Sequence, residues 1–179
     1  MVHCQFFAQK QQMDENLSDH AQMLRDDPNA GGSSKVSECM AFSVLETCFK
    51  AILLQTEMNI AYSTNNSTKL DFVCKLHNKV SGVSVTRMFI SPNYKPRRKR
   101  DRKSSLQTKL EALTKSCANT LERCDLQLLV VWTSDDYRDT VAHAYNALPN
   151  DVKENAVVIV VSTQQTKFLM NNSWTNGEH

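Results

Sequence analysis

Residues 69–89, KLDFVCKLHNKVSGVSVTRMF, decide the fold. Two runs rich in β-branched and aromatic residues, 69–77 and 82–90, flank the turn-rich link His77-Asn78-Lys79-Val80-Ser81. That is the pattern of two adjacent strands. In the second run Val83, Val85 and Arg87 alternate with Ser84, Thr86 and Met88, so the two sets face opposite sides of a sheet. One acid, Asp71, stands where the first of the two strands begins.

Upstream, Val36, Met40, Val44, Leu45, Cys48, Phe49, Ile52 and Leu53 recur at three- and four-residue spacing, which predicts a helix over 36–53 with Ser34 placed to cap it. A β-like run at 58–63 follows, joined to the 69–77 strand by Thr64-Asn65-Asn66-Ser67-Thr68. Downstream, Leu106, Leu110, Leu113, Cys117 and Leu121 mark a second amphipathic helix. The short runs LQLLVVW (126–132) and AVVIVV (156–161) are continuously apolar, as strands buried on both faces of a parallel or mixed sheet are. Between them Thr133-Ser134-Asp135-Asp136 is a capping-box pattern opening a helix with Tyr137, Val141, Tyr145 and Leu148 on one face and Pro149 just past its end. The predicted order is α-β-β-β-α-β-α-β, an α/β (or α+β) domain with a mixed β-sheet flanked by helices.

The chain of 179 residues is long enough for one core of this kind. Residues 34–170 form the expected domain. Residues 1–33, acidic and Gln-rich and ending Gly31-Gly32-Ser33, read as a flexible tail, and 171–179 as a polar tail. A formal net charge of +2 hides a local block: Lys95, Arg97, Arg98, Lys99, Arg100, Arg102 and Lys103 put seven cations into nine positions, inside an expected loop over 91–104. Such a block fits phosphate contact, a nuclear-localisation signal read by an import receptor, or a solvated loop.

Several chemistries are excluded by the residues themselves. With four glycines, Gly31, Gly32, Gly82 and Gly177, no glycine-cradled nucleotide motif and no nucleophile elbow can be written. Cys74 and His77 make one CxxH half without a second half at ligand spacing. His143 falls within a helix as a packing residue rather than a base. No leader of basic-then-apolar type and no apolar run long enough to span a bilayer can be found. The expectation is an intracellular chain, nuclear or cytoplasmic and not secreted, with no membrane contact. Its cysteines are expected as thiols, Cys39, Cys48 and Cys117 serving as small hydrophobes.

The helix, three strands, helix, strand order with an acid entering the second strand resembles the restriction-endonuclease-like (PD-(D/E)XK) core, over about residues 34–133. The resemblance implies an Asp at the start of the second strand, an acid on the first helix, and a (D/E)xK on the third strand, together holding Mg²⁺. Asp71 matches the Asp. Glu46, or less well Glu38, matches the helix acid. Ser84 and Thr86 fall in register where the second acid and the lysine belong, so the motif is degenerate. Arg87, on the opposite strand face, and Lys109, on the second helix, are the cations that remain. The reading that follows is a nucleus-directed nucleic-acid- or protein-binding domain on a nuclease-like scaffold without catalysis and without a cofactor. Its partners are nucleic acid or a nuclear import receptor, through the basic block. The alternative is a Mg²⁺-dependent nuclease in which Asp71 and Glu46 hold the metal and Arg87 or Lys109 supplies the cation.

Overall fold

The computed structural model describes residues 16–28, 34–64, 68–88 and 99–163, with side chains in the last stretch from residue 105 onward. A five-stranded sheet in the order β1-β2-β3-β4-β5 carries helices on both faces. β1 (Ile52–Thr56), β2 (Phe72–Leu76) and β3 (Lys79–Arg87) form an antiparallel meander, and β4 (Leu126–Ser134) and β5 (Ala156–Thr163) continue it in parallel with β3. The mixed sheet expected from the continuous apolar runs is present.

Helix α1 (Asp19–Asp26) precedes α2 (Lys35–Phe49), and both lie on one face of the sheet. Leu17, Ala21 and Leu24 join Val36, Met40, Phe42, Leu45, Phe72, Val83, Val85, Val130 and Trp132 in a single core. Reading 1–33 as a tail is therefore corrected for residues 16–28. Its polar composition conceals an Ala-Leu stripe, and the Ser18 hydroxyl accepts the Ala21 amide at 3.2 Å to start the helix. The opposite face carries α3 (Lys99–Asn119), α4 (Arg138–Asn146) and the short α5 (Asn150–Lys153), with Leu106, Leu110, Leu113, Leu129, Val131, Tyr137, Val141 and Leu148 as its core.

Three boundaries differ from the periodicity. Lys50 adopts a left-handed conformation (φ 58°), and the Ala51 amide reaches back to the Leu45 carbonyl at 3.2 Å. This ends α2 at Phe49 and sends Ile52 and Leu53 into β1. The strand expected at 58–63 is instead a 3₁₀ turn, Glu57–Asn59, followed by an isolated bridge between Tyr62 and Thr120. β4 runs on through Thr133 and Ser134, which pair with Ser162 and Thr163. The expected capping box is thus consumed by the ladder, and a 3₁₀ turn at Asp135–Tyr137 leads into α4.

The helix α3 begins at Lys99, so Lys99, Arg100, Arg102 and Lys103 belong to a helix and not to the expected loop. Lys95, Arg97 and Arg98 lie outside the described residues. Cys48 and Cys117, both expected as thiols, are in disulfides, Cys117 being bonded to Cys124 with 5.8 Å between their Cα atoms. No described helix is long and apolar enough to cross a membrane.

Candidate functional site at the carboxyl end of the sheet

β3, β4 and β5 run parallel, and their carboxyl ends carry Arg87, Ser134 and Thr163. In open α/β sheets, ligands gather beyond this edge. The start of α2 is pinned there: the indole N–H of Trp132, 1% exposed, donates to the Ser37 carbonyl at 3.0 Å. The crossover from β3 through α3 to a parallel β4 sets the start of α3 at the same end.

Asp71 occupies the bend before β2. Its amide donates to the Val83 carbonyl at 2.9 Å, closing the β2–β3 ladder. Beyond that point β2 offers no residue opposite the Val85 amide, and the Asp71 carboxylate takes the place of a ladder carbonyl by accepting it. The Ser84 hydroxyl donates to the same Oδ2 at 3.3 Å. Glu38, in the first turn of α2 and 5% exposed, accepts a hydrogen bond from the Ser34 hydroxyl. Ser34 thus stands at the helix N-cap, as expected, but its side chain is spent on a carboxylate rather than on a backbone amide.

The electrostatics tie these groups together. Burial, then the neighbouring Glu38 and Glu57 charges, push the Asp71 carboxyl up to about 7 against the opposing Val85 and Ser84 hydrogen bonds. Glu38 is raised chiefly by burial, with Glu57 adding to it and the Ser34 hydrogen bond, Lys35 and Arg87 opposing. Arg87 is lowered by burial, and Glu38 offsets part of that. Asp71, Glu38 and Glu57 thus lie within one another's electrostatic field, and Arg87 lies within that of Glu38.

This assembly redraws the expected site. The helix acid that reaches Asp71 is Glu38. Glu46, two turns further on and about 12 Å along the axis, instead faces His20 of α1, with 3.6 Å between Oε1 and Nδ1. Arg87 is the cation on the site's face, because Val83 and Val85 pack under α2 and Arg87 follows in the same alternation. Ser84 and Thr86 fall in the opposite alternation, although the Ser84 hydroxyl still reaches Asp71 at the strand edge, so the two positions on the α2 face are Val85 and Arg87. Lys109 is exposed on α3, whose leucines pack on the other face of the sheet, and takes no part. Sequence reasoning missed Glu57 altogether. Its place directly after a strand is hidden in the sequence, because Ile52 and Leu53 continue the helical spacing and the strand is expected at 58–63.

Among the described residues no group of three or more His, Cys, Asp or Glu is placed to hold a metal ion. Two carboxylates can still hold Mg²⁺ when waters and phosphate oxygens complete its shell. Here Asp71 already accepts the Val85 amide and the Ser84 hydroxyl on one oxygen, and Glu38 accepts the Ser34 hydroxyl, so the residues present do not form a ready set of metal donors.

A hollow of about 390 Å³, lined by Phe49, Leu76, Leu126, Leu128, Val157 and Ile159, opens at the other end of these strands and shares no residue with the acids.

No family model and no solved structure matches this chain. It is similar to the AAC-rich mRNA clone AAC4 protein of Dictyostelium discoideum, 31% identical over 167 residues that cover 86% of this chain. The chain spans about a quarter (24%) of that relative's length.

Proposed function

We propose that this chain is a nucleic-acid-binding domain on a restriction-endonuclease-like frame, directed to the nucleus by its basic block and without hydrolytic activity. One observation carries the reading: the start of α3, into which the basic block of the sequence runs, is set at the carboxyl end of β3, the end that also bears Arg87, Glu38 and Asp71. A basic block of this composition neutralises backbone phosphates, and the amino ends of α2 and α3 add their dipoles in the same sense.

The meander followed by a parallel β3–β4 pair supports the nuclease-like frame, as does the acid at the start of β2. Val85, where that frame has its second acid, argues against turnover. A valine cannot ligate a metal, and phosphodiester hydrolysis needs an activated water held against a neutralised phosphate. Arg87, in the lysine's register, offers a delocalised cation that binds phosphate well but gives up no proton near neutral pH.

A second reading, a Mg²⁺-dependent nuclease, is favoured by the Glu38–Asp71 pair itself, since two carboxylates held together are relieved by a divalent cation. Fluorescence anisotropy with single- and double-stranded DNA and RNA, across a salt series, tests the first reading. Affinity should fall steeply with salt, and Arg87→Ala together with alanines at Lys99, Arg100, Arg102 and Lys103 should flatten that slope. Unchanged affinity in these variants at low salt would refute it. Cleavage of the same probes with Mg²⁺ or Mn²⁺, lost in EDTA and in Asp71→Asn, would replace it with the second reading. If the block acts instead on an import receptor, the variants lose nuclear accumulation while nucleic-acid affinity stays at background.

A further inference from the structure

We propose that Cys117 and Cys124 form a reversible thiol–disulfide switch that sets the rigidity of the backbone carrying Asp71. Cys117 lies in the last turn of α3 and Cys124 in the segment leading to β4, seven residues apart and bonded. Their sulfurs sit over Gly82 of β3. A Cβ at that position would come within 2.6 Å of the Cys117 Sγ and 3.1 Å of the Cys124 Sγ, so the sheet leaves room for the pair only because the residue there is glycine. Leu70, the residue before Asp71, borders the same space, with its Cδ1 at 2.9 Å from the Cβ position.

The loop closed by this bond is fastened to the segment ahead of Asp71. Ser63 donates its amide to the Asn119 carbonyl at 2.8 Å, Leu121 donates to the Ala61 carbonyl at 2.9 Å, and Tyr62 bridges Thr120. The Tyr62 hydroxyl in turn accepts the Leu70 amide at 2.7 Å. A path of direct contacts thus runs from the sulfurs through residues 119–121 and 61–63 to Leu70. Closing the bond removes conformational freedom from the loop, and opening it restores that freedom to every group fastened to it.

Of the pair, Cys124 is the more exposed, Cys117 being buried with 8% exposure. Cys124 is half-buried, whereas Cys74 is fully buried and burial pushes its thiol up to about 12, which makes it a poor competitor. Reduction starts when a glutathione thiolate attacks the Cys124 Sγ. The S–S bond breaks, Cys117 leaves with the electron pair as a thiolate, and a mixed disulfide forms. A second glutathione thiolate then attacks that mixed disulfide at the glutathione sulfur, releasing the Cys124 thiolate and glutathione disulfide. The two thiolates take protons from water, and glutathione disulfide drives the reverse. The switch stands on these contacts whether or not the Asp71 site binds nucleic acid.

The test equilibrates the whole chain in mixtures of reduced and oxidised glutathione. Differential alkylation with peptide mass spectrometry scores Cys117 and Cys124, and amide hydrogen exchange is followed in the same samples. The pair should convert between both forms in the folded protein. Exchange at Leu70 and at residues 61–63 should be about tenfold faster in the reduced form. The double variant Cys117→Ser/Cys124→Ser should show the faster exchange at Leu70 and residues 61–63 in either buffer. A pair that stays in one form across all mixtures would overturn the proposal. So would exchange at Leu70 that is identical in the oxidised and reduced wild type, a comparison that needs no variant to fold.

Discussion

At its carboxyl end, β3 carries Arg87 on the face of Glu38 and passes the Val85 amide to Asp71. At its amino end, five residues before Arg87, the same strand lays Gly82 flat beneath two sulfurs. The first end gathers like charges and partly strips them of water, an arrangement that costs stability and creates chemistry. The second end removes a side chain so that a helix can close down on the sheet. One strand thus serves a reactive edge and a locked edge, and it can do so because the antiparallel β2 and the parallel β4 fix its register along most of its length.

The largest effect should come from removing what holds the reactive edge in place. Trp132→Ala deletes a fully buried side chain and its hydrogen bond to Ser37, and should cost about 3–5 kcal/mol in chemical denaturation. Because it frees the start of α2, it should also abolish the raised titration of Asp71. Gly82→Ala attacks the locked edge instead. Its Cβ would meet Cys117 Sγ, Leu70 and Cys124 Sγ at 2.6, 2.9 and 3.1 Å, so a loss of about 1–3 kcal/mol is expected. The loss should shrink when the cysteines are replaced by alanine, while the Asp71 titration stays intact.

The third prediction concerns pH. Asp71 binds its proton more tightly in the folded chain, near 7, than an unfolded aspartate does near 3.9. Between those values the folded state holds more protons, so stability falls as pH rises from about 4 to about 7 and levels off above. Asp71→Asn keeps an acceptor for the Val85 amide and removes the charge. It should match wild type near pH 4 and exceed it at pH 8, by about 1–2 kcal/mol once screening at the open edge is allowed for. A wild-type curve rising through that window would contradict the charge assignment. The smallest effect belongs to Lys109→Ala, whose exposed side chain lies on the far face. It should change stability by less than about 0.5 kcal/mol and leave nucleic-acid affinity unaltered.

Much of the frame was legible because burial leaves a periodic trace. The leucines at 106, 110 and 113 and the runs at 126–132 and 156–161 report the water they avoid, and each became the element it announced. Asp71 was legible for a similar reason, as a lone acid at the mouth of an apolar strand. Residues 16–28 were not, because three small and medium apolar side chains, Leu17, Ala21 and Leu24, are too few to outweigh their polar neighbours in a window average. Ile52 and Leu53 continued a helical spacing that the left-handed turn at Lys50 interrupts, and nothing in the side chain of lysine announces such a turn.

The sequence by itself determined the α/β class, the strands 72–76, 79–87, 126–134 and 156–163 to within a few residues, the acid Asp71 ahead of the first of them, and the basic block, since all of these follow from local composition and from the two periodicities of 3.6 and 2. Tertiary structure alone decided that Glu38 and not Glu46 meets Asp71, that Arg87 shares their face, and that Cys117 finds Cys124 over Gly82. Those choices depend on strand register and on where a helix is pinned, and one residue of register turns every side chain to the other face. Register is set by the packing of the whole sheet, so a stretch of the chain read alone cannot contain it.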